Sequence, residues 1–370
     1  MKLNRRACFN RIAGLALGLN TTLLASGTRT LIASASPPRG FEAEFPSMGS
    51  KINLRWYSDH ADHADQDRIV EAARTIADHW IGVLSDYDPA SQAMVACLKA
   101  DQGHWVPLSK DLWNVVQRCE QWHRWSNGAF DAALGAITRL RRRRMLATPV
   151  QWEEARRASG WELVEFDAPN QAIRFQTPGV RFDFGAIGKG FVVDRIAEKL
   201  LEMEIDRFVV NASGNMRIGL SPPQTEGWPI AIDVPAMGAN EAGIELLRTR
   251  ISRCGIATSG DRWQRFPDGV GVGKNQYSSH IVDPSTQTGV SGHQSVTVIA
   301  EDATDADAAA TATCVCAQRD LAGWLKTLSV QKPKLQAIIL LKDEAAAHVR
   351  MISNGFDTLG TPGQNTRLGR

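Results

Sequence analysis

Residues 180–195 place three glycines and a lysine at the point where an apolar run gives way to a helix. Gly185, Gly188 and Gly190 permit backbone angles and close approaches that a side chain would block. Amides at the start of the following helix would present the positive end of its dipole, and Lys189 would add a full charge. The stretch therefore predicts an anion-binding turn. A tight strand-to-helix turn with a solvated lysine is the alternative that these residues leave open.

Asp307 and Thr311 are four residues apart in a run of small residues, so their oxygens project from one face of the predicted helix. One carboxylate and one hydroxyl are hard oxygen donors of the kind that Mg²⁺ prefers. The small neighbours would let another backbone approach closely. An exposed aspartate beside a threonine bonded to its own helix is the alternative.

His280 has an acid on each side of it in the sequence. Asp261 lies upstream and Asp283 follows three residues later. A histidine with acidic neighbours can act as a general base. A lone histidine in a strand is otherwise a hydrogen-bonded polar residue without a chemical role, and that alternative stays open.

These segments resemble, in the same order along the chain, the signature of the ApbE family, the FAD:protein FMN transferases. The resemblance extends from about residue 45 to residue 340. The matching segments are residues 46–50, 84–91, 127–131, 180–195, 211–215, 257–261, 278–284 and 306–312.

The resemblance implies transfer of the FMN part of FAD to a threonine hydroxyl of a target protein, with release of AMP. It implies Mg²⁺ bound by the carbonyl of Ala186 with Asp307 and Thr311. His280 is the first candidate for the proton acceptor and Asp261 the second, with Asp283 orienting one of them. The residues implied to contact FAD are Met48, Tyr87, Ala129, Phe130, Asp131, Asp183, Lys189, Asn211, Ser213, Gly214, Ser259, Asp261 and His280.

The chain departs from the family pattern at several places. Ser213 replaces a glycine and Asn215 replaces an acid in the segment Asn-x-Gly-Gly-Asp. Where the family has an apolar run, residues 138–144 carry five arginines. Such a charge block is usually a solvated face, and a docking patch for acidic partners or phosphates is the alternative.

Two other functions remain open at this stage. A metal site that uses water would hydrolyse FAD to FMN and AMP. The departures at Ser213 and Asn215 leave room for a flavin-binding protein without activity. A dinucleotide-binding dehydrogenase is disfavoured, because the glycine spacing does not give Gly-x-Gly-x-x-Gly.

The N-terminal 35 residues have the features of an export signal. They hold five basic residues and no acid, so their removal changes the formal net charge from +2 to −3. A weakly apolar run at 12–25 precedes a small-residue cleavage site at 33–35, and residues 4–9 resemble a twin-arginine signal. We therefore expect an exported or periplasmic protein, with the signal cleaved or kept as an anchor. Its target protein is then expected in an exported or membrane redox system.

Composition limits the class of protein and the functions that the chain could have. Hydrophobic residues make up 43% of the 370 and charged residues 22%, as in ordinary soluble proteins, and the charge balance supports no nucleic-acid function. After processing, no stretch is long and apolar enough to span a membrane. The five cysteines beyond the signal are an odd number, which argues against a disulfide framework.

The predicted fold class is α+β, which the resemblance makes one compact domain of two intimately joined lobes with a mixed or antiparallel sheet and flanking helices. A linker at 36–44, the transferase domain at 45–350 and a tail at 351–370 follow the signal. Helical spacing predicts helices at 65–84 and 112–125 and from residues 150 and 192. Strands are predicted at 41–57, 173–175, 180–184, 208–211, 227–234, 295–300 and 337–341, with 173–175 and 180–184 paired.

Overall fold

The computed structural model describes residues 39–58, 63–142, 147–235, 244–260, 265–267, 277–290, 293–343 and 348–354. These residues belong to one compact unit, Pro37–Arg370. The predicted signal, the first part of the linker, Asp261 and most of the tail lie outside the described residues, so those predictions remain predictions.

Eight α-helices and seventeen strands are formed by the described residues. The helices are α1 His63–Leu84, α2 Gln92–Ala100, α3 Lys110–Trp125, α4 Gly135–Arg142, α5 Pro149–Arg157, α6 Gly188–Glu202, α7 Ala303–Arg319 and α8 Leu321–Gln331, with a 3₁₀ turn at Trp161–Leu163. The strands are β1 Arg39–Ser47, β2 Ser50–Ser58, β3 Val106–Pro107, β4 Val164–Asp167, β5 Ala172–Phe175, β6 Arg207–Ala212, β7 Asn215–Ile218, β8 Trp228–Pro235, β9 Ile244–Ile251, β10 Cys254–Gly260, β11 Arg265–Pro267, β12 Tyr277–Ser279, β13 Val282–Asp283, β14 Thr288–Gly289, β15 His293–Ala300, β16 Gln336–Asp343 and β17 His348–Asn354.

The centre of the fold is an eight-stranded sheet in the order β1-β2-β6-β7-β10-β15-β16-β17. Neighbouring strands in this sheet pair antiparallel. Helices α6 and α7 cover one face, where α7 packs on β10 and β15. On the other face, Trp228, Ile230 and Ile232 of the β8–β9 hairpin join a cluster with Ile256 and Ile338. The predicted α+β class is confirmed, and the sheet is antiparallel.

The chain enters the sheet as a hairpin rather than as the single strand predicted over 41–57. Strands β1 and β2 pair from Arg39↔Ser58 to Ser47↔Ser50, leaving Met48 and Gly49 as a two-residue turn. Met48 has φ of 50° and Gly49 has φ of 70°. Positive φ at both central residues is typical of the type I′ turn, whose twist matches that of the flanking strands. The apolar pattern predicted the extended backbone but missed this reversal.

Helix α7 lies deep in the molecule because small residues cover its surface. Its alanines at 303, 306, 308, 309, 310 and 312 are 0% exposed. A Cβ at Gly255 would meet the carbonyl carbon of Asp302 at 2.0 Å, so β10 and the start of α7 are nearly in backbone contact. The run of small residues therefore allows the close approach that the sequence predicts.

Residues 180–184 do not pair with β5, contrary to the prediction. Strand β5 pairs instead with β3 and β4. Gly179, at φ of 93°, turns the chain away. The Asp183 amide then donates to Ala132 O at 2.8 Å, and Gly135 N donates to Arg181 O at 2.8 Å. Hydrogen bonds to the loop before α4 thus replace the expected strand ladder.

Two further findings concern the cysteines and the length of the helices. Among the described residues, five cysteines are buried and form no disulfide: Cys97, Cys119, Cys254, Cys314 and Cys316. Within the same residues, none of the helices combines the length and the apolar character needed to cross a membrane.

Candidate active site

The lysine-bearing glycine turn and helix α7 meet directly. The amide of Gly190 donates a hydrogen bond to Oδ2 of Asp307 at 2.9 Å. Ile187, the N-cap residue of α6, has an apolar side chain that cannot accept an amide hydrogen bond. Asp307 therefore supplies an acceptor for the first turn of α6 from another helix. One amide of the predicted anion-binding turn is therefore paired with a carboxylate of the chain itself.

Asp307 is a buried carboxylate beside a cation. Asp307 is only 3% exposed. Burial raises the pKa of Asp307, while the charge of Lys189 and the Gly190 amide act in the opposite direction. The ammonium of Lys189 donates to Gly185 O at 3.1 Å, which keeps this side chain over the turn. Burial disfavours the charged form of this carboxylate, and a bound cation would stabilise that form.

Thr311 connects α7 to the end of strand β10. Its hydroxyl oxygen lies 3.2 Å from Oγ of Ser259, near the end of β10. Two residues with predicted roles, one for metal and one for cofactor, are therefore in contact. Ala186 is half-buried in the turn before α6. Within the described residues, no group of three or more His, Cys, Asp or Glu side chains could hold a metal. The predicted magnesium site uses a single carboxylate and does not depend on such a group.

Two hairpin turns bring four predicted cofactor residues to the same end of the sheet. Ser213 and Gly214 form the two-residue turn between β6 and β7, at φ of 52° and 94°. The side-chain oxygen of Asn211 accepts from the Gly214 amide at 2.9 Å. The hydroxyls of Ser213 and Ser50 are in hydrogen-bond contact, so this turn adjoins the β1–β2 turn that carries Met48. A residue at φ near 50° is in the left-handed region, which explains the glycine in the family pattern.

Asn215 sits at the start of β7 on the face covered by α6 and α7. Alternation along the strand puts it on the side of Arg217, which reaches Asp194 of α6 at 3.6 Å. Asn215 is 3% exposed. Its Oδ1 accepts no hydrogen bond from the described residues. A buried amide oxygen of this kind is suited to a donor from a bound ligand.

Residues 129–131 serve the scaffold. Ala129 and Phe130 are buried in the core, so their side chains are not available to a ligand at the surface. The carboxylate of Asp131 accepts from Ala133 N at 2.7 Å and Trp161 N at 2.9 Å. Burial raises the pKa of Asp131 despite these hydrogen bonds. The FAD contacts that the resemblance implies for this segment stay predictions. In the structure, Asp131 accepts hydrogen bonds from backbone amides of the protein.

Tyr87 and Asp183 are linked through Arg142. Tyr87 is 76% exposed. The guanidinium of Arg142 lies 4.9 Å from the centre of the Tyr87 ring and donates to Asp183 Oδ2 at 3.1 Å. Burial alone would raise the pKa of Asp183, but Arg142 and further hydrogen bonds hold it below its ordinary value.

The arginine block was predicted as a solvated face, and for its described members that is wrong. Arg139, Arg141 and Arg142 are half-buried. Arg141 donates to the carbonyl of Ser279 at 3.1 Å. Charge patterns predict exposure only on average, and here the helix that carries the block packs with its basic face toward the candidate site. Residues 143–146 lie outside the described part of the chain.

His280 follows β12 and is half-buried, directly after the serine that Arg141 holds. Asp283 is 7% exposed, and its carboxylate accepts from Arg319 and from the amide of Ser285 at 2.8 Å. These hydrogen bonds outweigh the effect of burial and lower the pKa of Asp283. Asp283 therefore ties the loop after His280 to the end of α7.

Asp194 is a buried acid to which the sequence analysis gave no role. Its carboxylate accepts from Ala303 N at 3.0 Å, from Thr304 N at 2.8 Å and from Thr304 Oγ1 at 2.5 Å. Burial raises the pKa of Asp194, and these hydrogen bonds act against that rise. Asp194 thus fixes the start of α7 against α6. The available signal was its spacing of four from Gly190, which puts both residues on the face toward α7.

Comparison with known proteins identifies the family. The ApbE family model matches residues 48–339. A FAD:protein FMN transferase from Chlamydia muridarum is 27% identical over 262 residues, covering 68% of this chain and 77% of the relative. A FAD:protein FMN transferase from Haemophilus influenzae is 24% identical over 322 residues, covering 85% of this chain and 89% of the relative.

Two solved structures share the fold. The flavin transferase ApbE from Vibrio cholerae superposes with a TM-score of 0.71 at 19% identity, over 86% of this chain and 98% of that one. The ApbE protein from Thermotoga maritima gives a TM-score of 0.67 at 24% identity, over 85% and 97%. The family match spans most of the chain and confirms the resemblance read from the segments: the chain belongs to the ApbE family.

Proposed function

We propose that this protein transfers the FMN part of FAD to the hydroxyl of a threonine in a target protein and releases AMP, with Mg²⁺ as its metal. The relatives from Chlamydia muridarum and Haemophilus influenzae bear the name FAD:protein FMN transferase, which supports this reaction for a chain of the same family.

The observation that carries the proposal is the hydrogen bond from the Gly190 amide to Asp307 at 2.9 Å. It joins the lysine-bearing turn to the small-residue helix α7, which are more than a hundred residues apart in sequence. Lys189 and the oxygen donors of Asp307 and Thr311 therefore belong to one region of the molecule. A turn on the far side of the sheet from α7 would have contradicted the proposal.

The donors of this region fit a hard divalent cation. Asp307, Thr311 and the carbonyl of Ala186 would hold Mg²⁺ through oxygen atoms only. The buried position of Asp307, which raises its pKa, adds support because a cation would stabilise its charged form. When bound, the ion would neutralise charge on the diphosphate and act as a Lewis acid at phosphorus.

The remaining chemistry is assigned to side chains of this protein. The acceptor oxygen forms a bond to the phosphorus on the FMN side of FAD, while the bond from that phosphorus to the bridging oxygen breaks and AMP leaves. His280 would accept the proton of the threonine hydroxyl, with Asp261 as the second candidate. Lys189 would bind phosphate oxygens. We assign Asp283 to positioning, because Arg319 and Ser285 engage its carboxylate.

The two turns at the end of the sheet would border the cofactor. Met48, Ser213 and Gly214 lie at these turns, and Tyr87 offers an exposed aromatic face on which a flavin ring could stack. The free oxygen of Asn215 would accept a hydrogen bond from the nucleotide. Because Asn215 is neutral where the family has an acid, it would add no repulsion toward the diphosphate.

We also propose that the acceptor is an exported or membrane redox protein. The predicted export signal at 1–35 supports a periplasmic or other exported site of action. Fractionation of cells that produce the full chain tests this assignment, and recovery of the protein in the cytosol alone would contradict it.

The reaction itself is tested with purified protein, FAD, Mg²⁺ and an exported, threonine-bearing acceptor from the same genome. We expect the intact mass of the acceptor to rise by one FMN group, with an equal amount of AMP released. An acceptor with valine at the modified threonine is the control. Free FMN together with AMP would instead identify an FAD hydrolase, and bound FAD without AMP a flavin-binding protein without activity.

A further inference from the structure

Arg142 bridges two acids from separate parts of the chain. Its guanidinium donates to Asp183 at 3.1 Å and also pairs with Asp86. The side chains of Asp86 and Asp183 are only 11% and 13% exposed, and that of Arg142 is 24% exposed. Two carboxylates this close and this shielded repel each other unless a cation lies between them. The guanidinium fork of arginine suits this bridging position better than a single ammonium.

Helix α4 holds Arg142 in a fixed place relative to Asp183. At the start of the helix, Gly135 N donates to Arg181 O at 2.8 Å. A Cβ at Gly135 would lie 2.5 Å from that same oxygen, so the helix packs against the backbone of this segment. Thr138, one turn before Arg142, donates its hydroxyl to Gly135 O at 3.5 Å within the same helix. Arg142 lies four residues later on the same face of the helix.

The loop that carries Tyr87 is closed by its own hydrogen bonds, but its aromatic ring is held from outside the loop. Ser85 Oγ accepts from Tyr87 N at 3.2 Å, and Ser91 Oγ donates to Ser85 O at 2.5 Å. These bonds fix the backbone. Tyr87 as a whole is 76% exposed, and the Arg142 guanidinium lies 4.9 Å from the centroid of its ring. A cavity of about 160 Å³ adjoins this contact and is lined by Asp86, Tyr87, Arg139 and Arg142.

We propose that Arg142 is a positioning residue for FAD binding, which orients the ring of Tyr87 by bridging Asp86 and Asp183. This inference rests on the proposed function, because it assigns the exposed ring to the flavin. Arg142 belongs to the segment where the chain departs from the family pattern, so its part is particular to this chain and does not follow from the resemblance. Arg142 acts through Tyr87 and Asp183, and we give it no part in the chemical step.

The test compares Arg142→Gln, Arg142→Lys and the control Arg124→Gln in the full chain. Arg124 is a suitable control because its side chain is 70% exposed and pairs with Glu120 on its own helix. Equilibrium dialysis measures FAD affinity without turnover, and AMP release gives kcat and KM. We expect Arg142→Gln to weaken FAD binding about tenfold, the effect of losing one ordering cation–aromatic contact, and to leave kcat at saturating FAD nearly unchanged. Arg142→Lys keeps the positive charge, and we expect it to weaken FAD binding less than Arg142→Gln does.

A double-mutant cycle with Tyr87→Ala decides whether Arg142 acts through the ring. We expect the effect of Arg142→Gln on FAD affinity to disappear when Tyr87 is already alanine. Fully additive losses would overturn the inference, as would an unchanged affinity in Arg142→Gln or an equal loss in Arg124→Gln. If Arg142→Gln does not fold, Arg142→Lys takes its place in the same cycle. Wild-type protein that fails to bind FAD would instead contradict the proposed function.

Discussion

A Cβ atom at Gly190 would lie 2.2 Å from the carbonyl oxygen of Ala303 and 2.8 Å from Cβ of Asp307. Neither neighbour can move easily, because both belong to the buried helix α7. Glycine at position 190 is therefore required by the packing of two helices. The same contact sets the distance between Lys189 and Asp307, on which the proposed site depends.

Gly190→Ala is expected to destabilise the protein and to abolish transfer. The added methyl group would force α6 and α7 apart, and we expect the free energy of unfolding to fall by about 3 kcal/mol, the upper part of the range for an overpacked core. Denaturant unfolding measures the change. Gly82→Ala is the matched control, because a Cβ at Gly82 in α1 meets nothing within 4 Å. That variant should gain about 0.5–1 kcal/mol, and an equal loss in both variants would contradict the packing argument.

Asp307→Asn is expected to remove the response to magnesium without unfolding the protein. The amide oxygen of asparagine can still accept from Gly190, but the negative charge is lost. Thermal unfolding with and without Mg²⁺ measures the response. At a concentration tenfold above Kd, Mg²⁺ should stabilise the wild type by about 1.4 kcal/mol and the variant not at all. Without metal, the variant should be at least as stable, since burial already disfavours the charged form of Asp307.

Asp305→Asn separates this metal effect from a general effect of removing a buried acid. Asp305 accepts from Arg118 at 2.6 Å and Trp122 Nε1 at 2.9 Å, and pairs with Lys332 at 2.5 Å. Loss of its charge leaves two cations partly buried, and we expect about 2 kcal/mol of destabilisation. The response to Mg²⁺ should persist in this variant. A response that disappears equally in both variants would contradict the assignment of Asp307 as the ligand.

Helical spacing and the alanine-rich run correctly predicted helices α1, α3 and α7. Helices α1 and α3 begin within two residues of their predicted starts and end at the predicted residues. The spacing of Asp307 and Thr311 predicted that both lie on one face of α7, and each has a hydrogen-bond partner from another element. These features depend on local periodicity and side-chain size, which the sequence contains directly.

The rest depended on contacts between distant parts of the chain. The apolar residues at 180–184 suit a strand, but nothing local predicts that their backbone bonds the loop before α4. Arginines in a block favour solvent on average, and only the packing of α4 turns Arg142 toward Asp86 and Asp183. Asp194 likewise has a role only because the start of α7 lies against it.

Ser213→Gly is expected to relieve backbone strain and to improve FAD binding. Ser213 has φ of 52°, a left-handed conformation that disfavours residues with a side chain by about 1 kcal/mol. Ser213→Ala is the matched control, because it removes the hydroxyl and keeps the Cβ atom. We expect a gain in unfolding free energy only for glycine, and tighter FAD binding for glycine than for alanine. Equal weakening of FAD binding in both variants would show that the hydroxyl itself contacts the cofactor.

Asp283 should make stability fall in acid. Burial alone would raise its pKa, but hydrogen bonds from Arg319 and Ser285 lower it below the ordinary value of 3.8. The folded state therefore binds this proton less readily than the unfolded state does. The stabilising contribution is complete above pH 3.8 and is lost as the pH falls through 3.8 toward the folded-state pKa.

Unfolding midpoints from pH 7 down to about pH 3 measure this contribution in the wild type and Asp283→Asn. We expect a constant stability difference at the upper end of this range and a shrinking one below the ordinary carboxyl pKa. Glu202→Gln, at a side chain 66% exposed and paired with Lys199, removes an acid from the surface and should show a much smaller difference throughout. A difference between wild type and Asp283→Asn that stays constant to the lowest pH would mean that Arg319 and Ser285 do not lower this pKa.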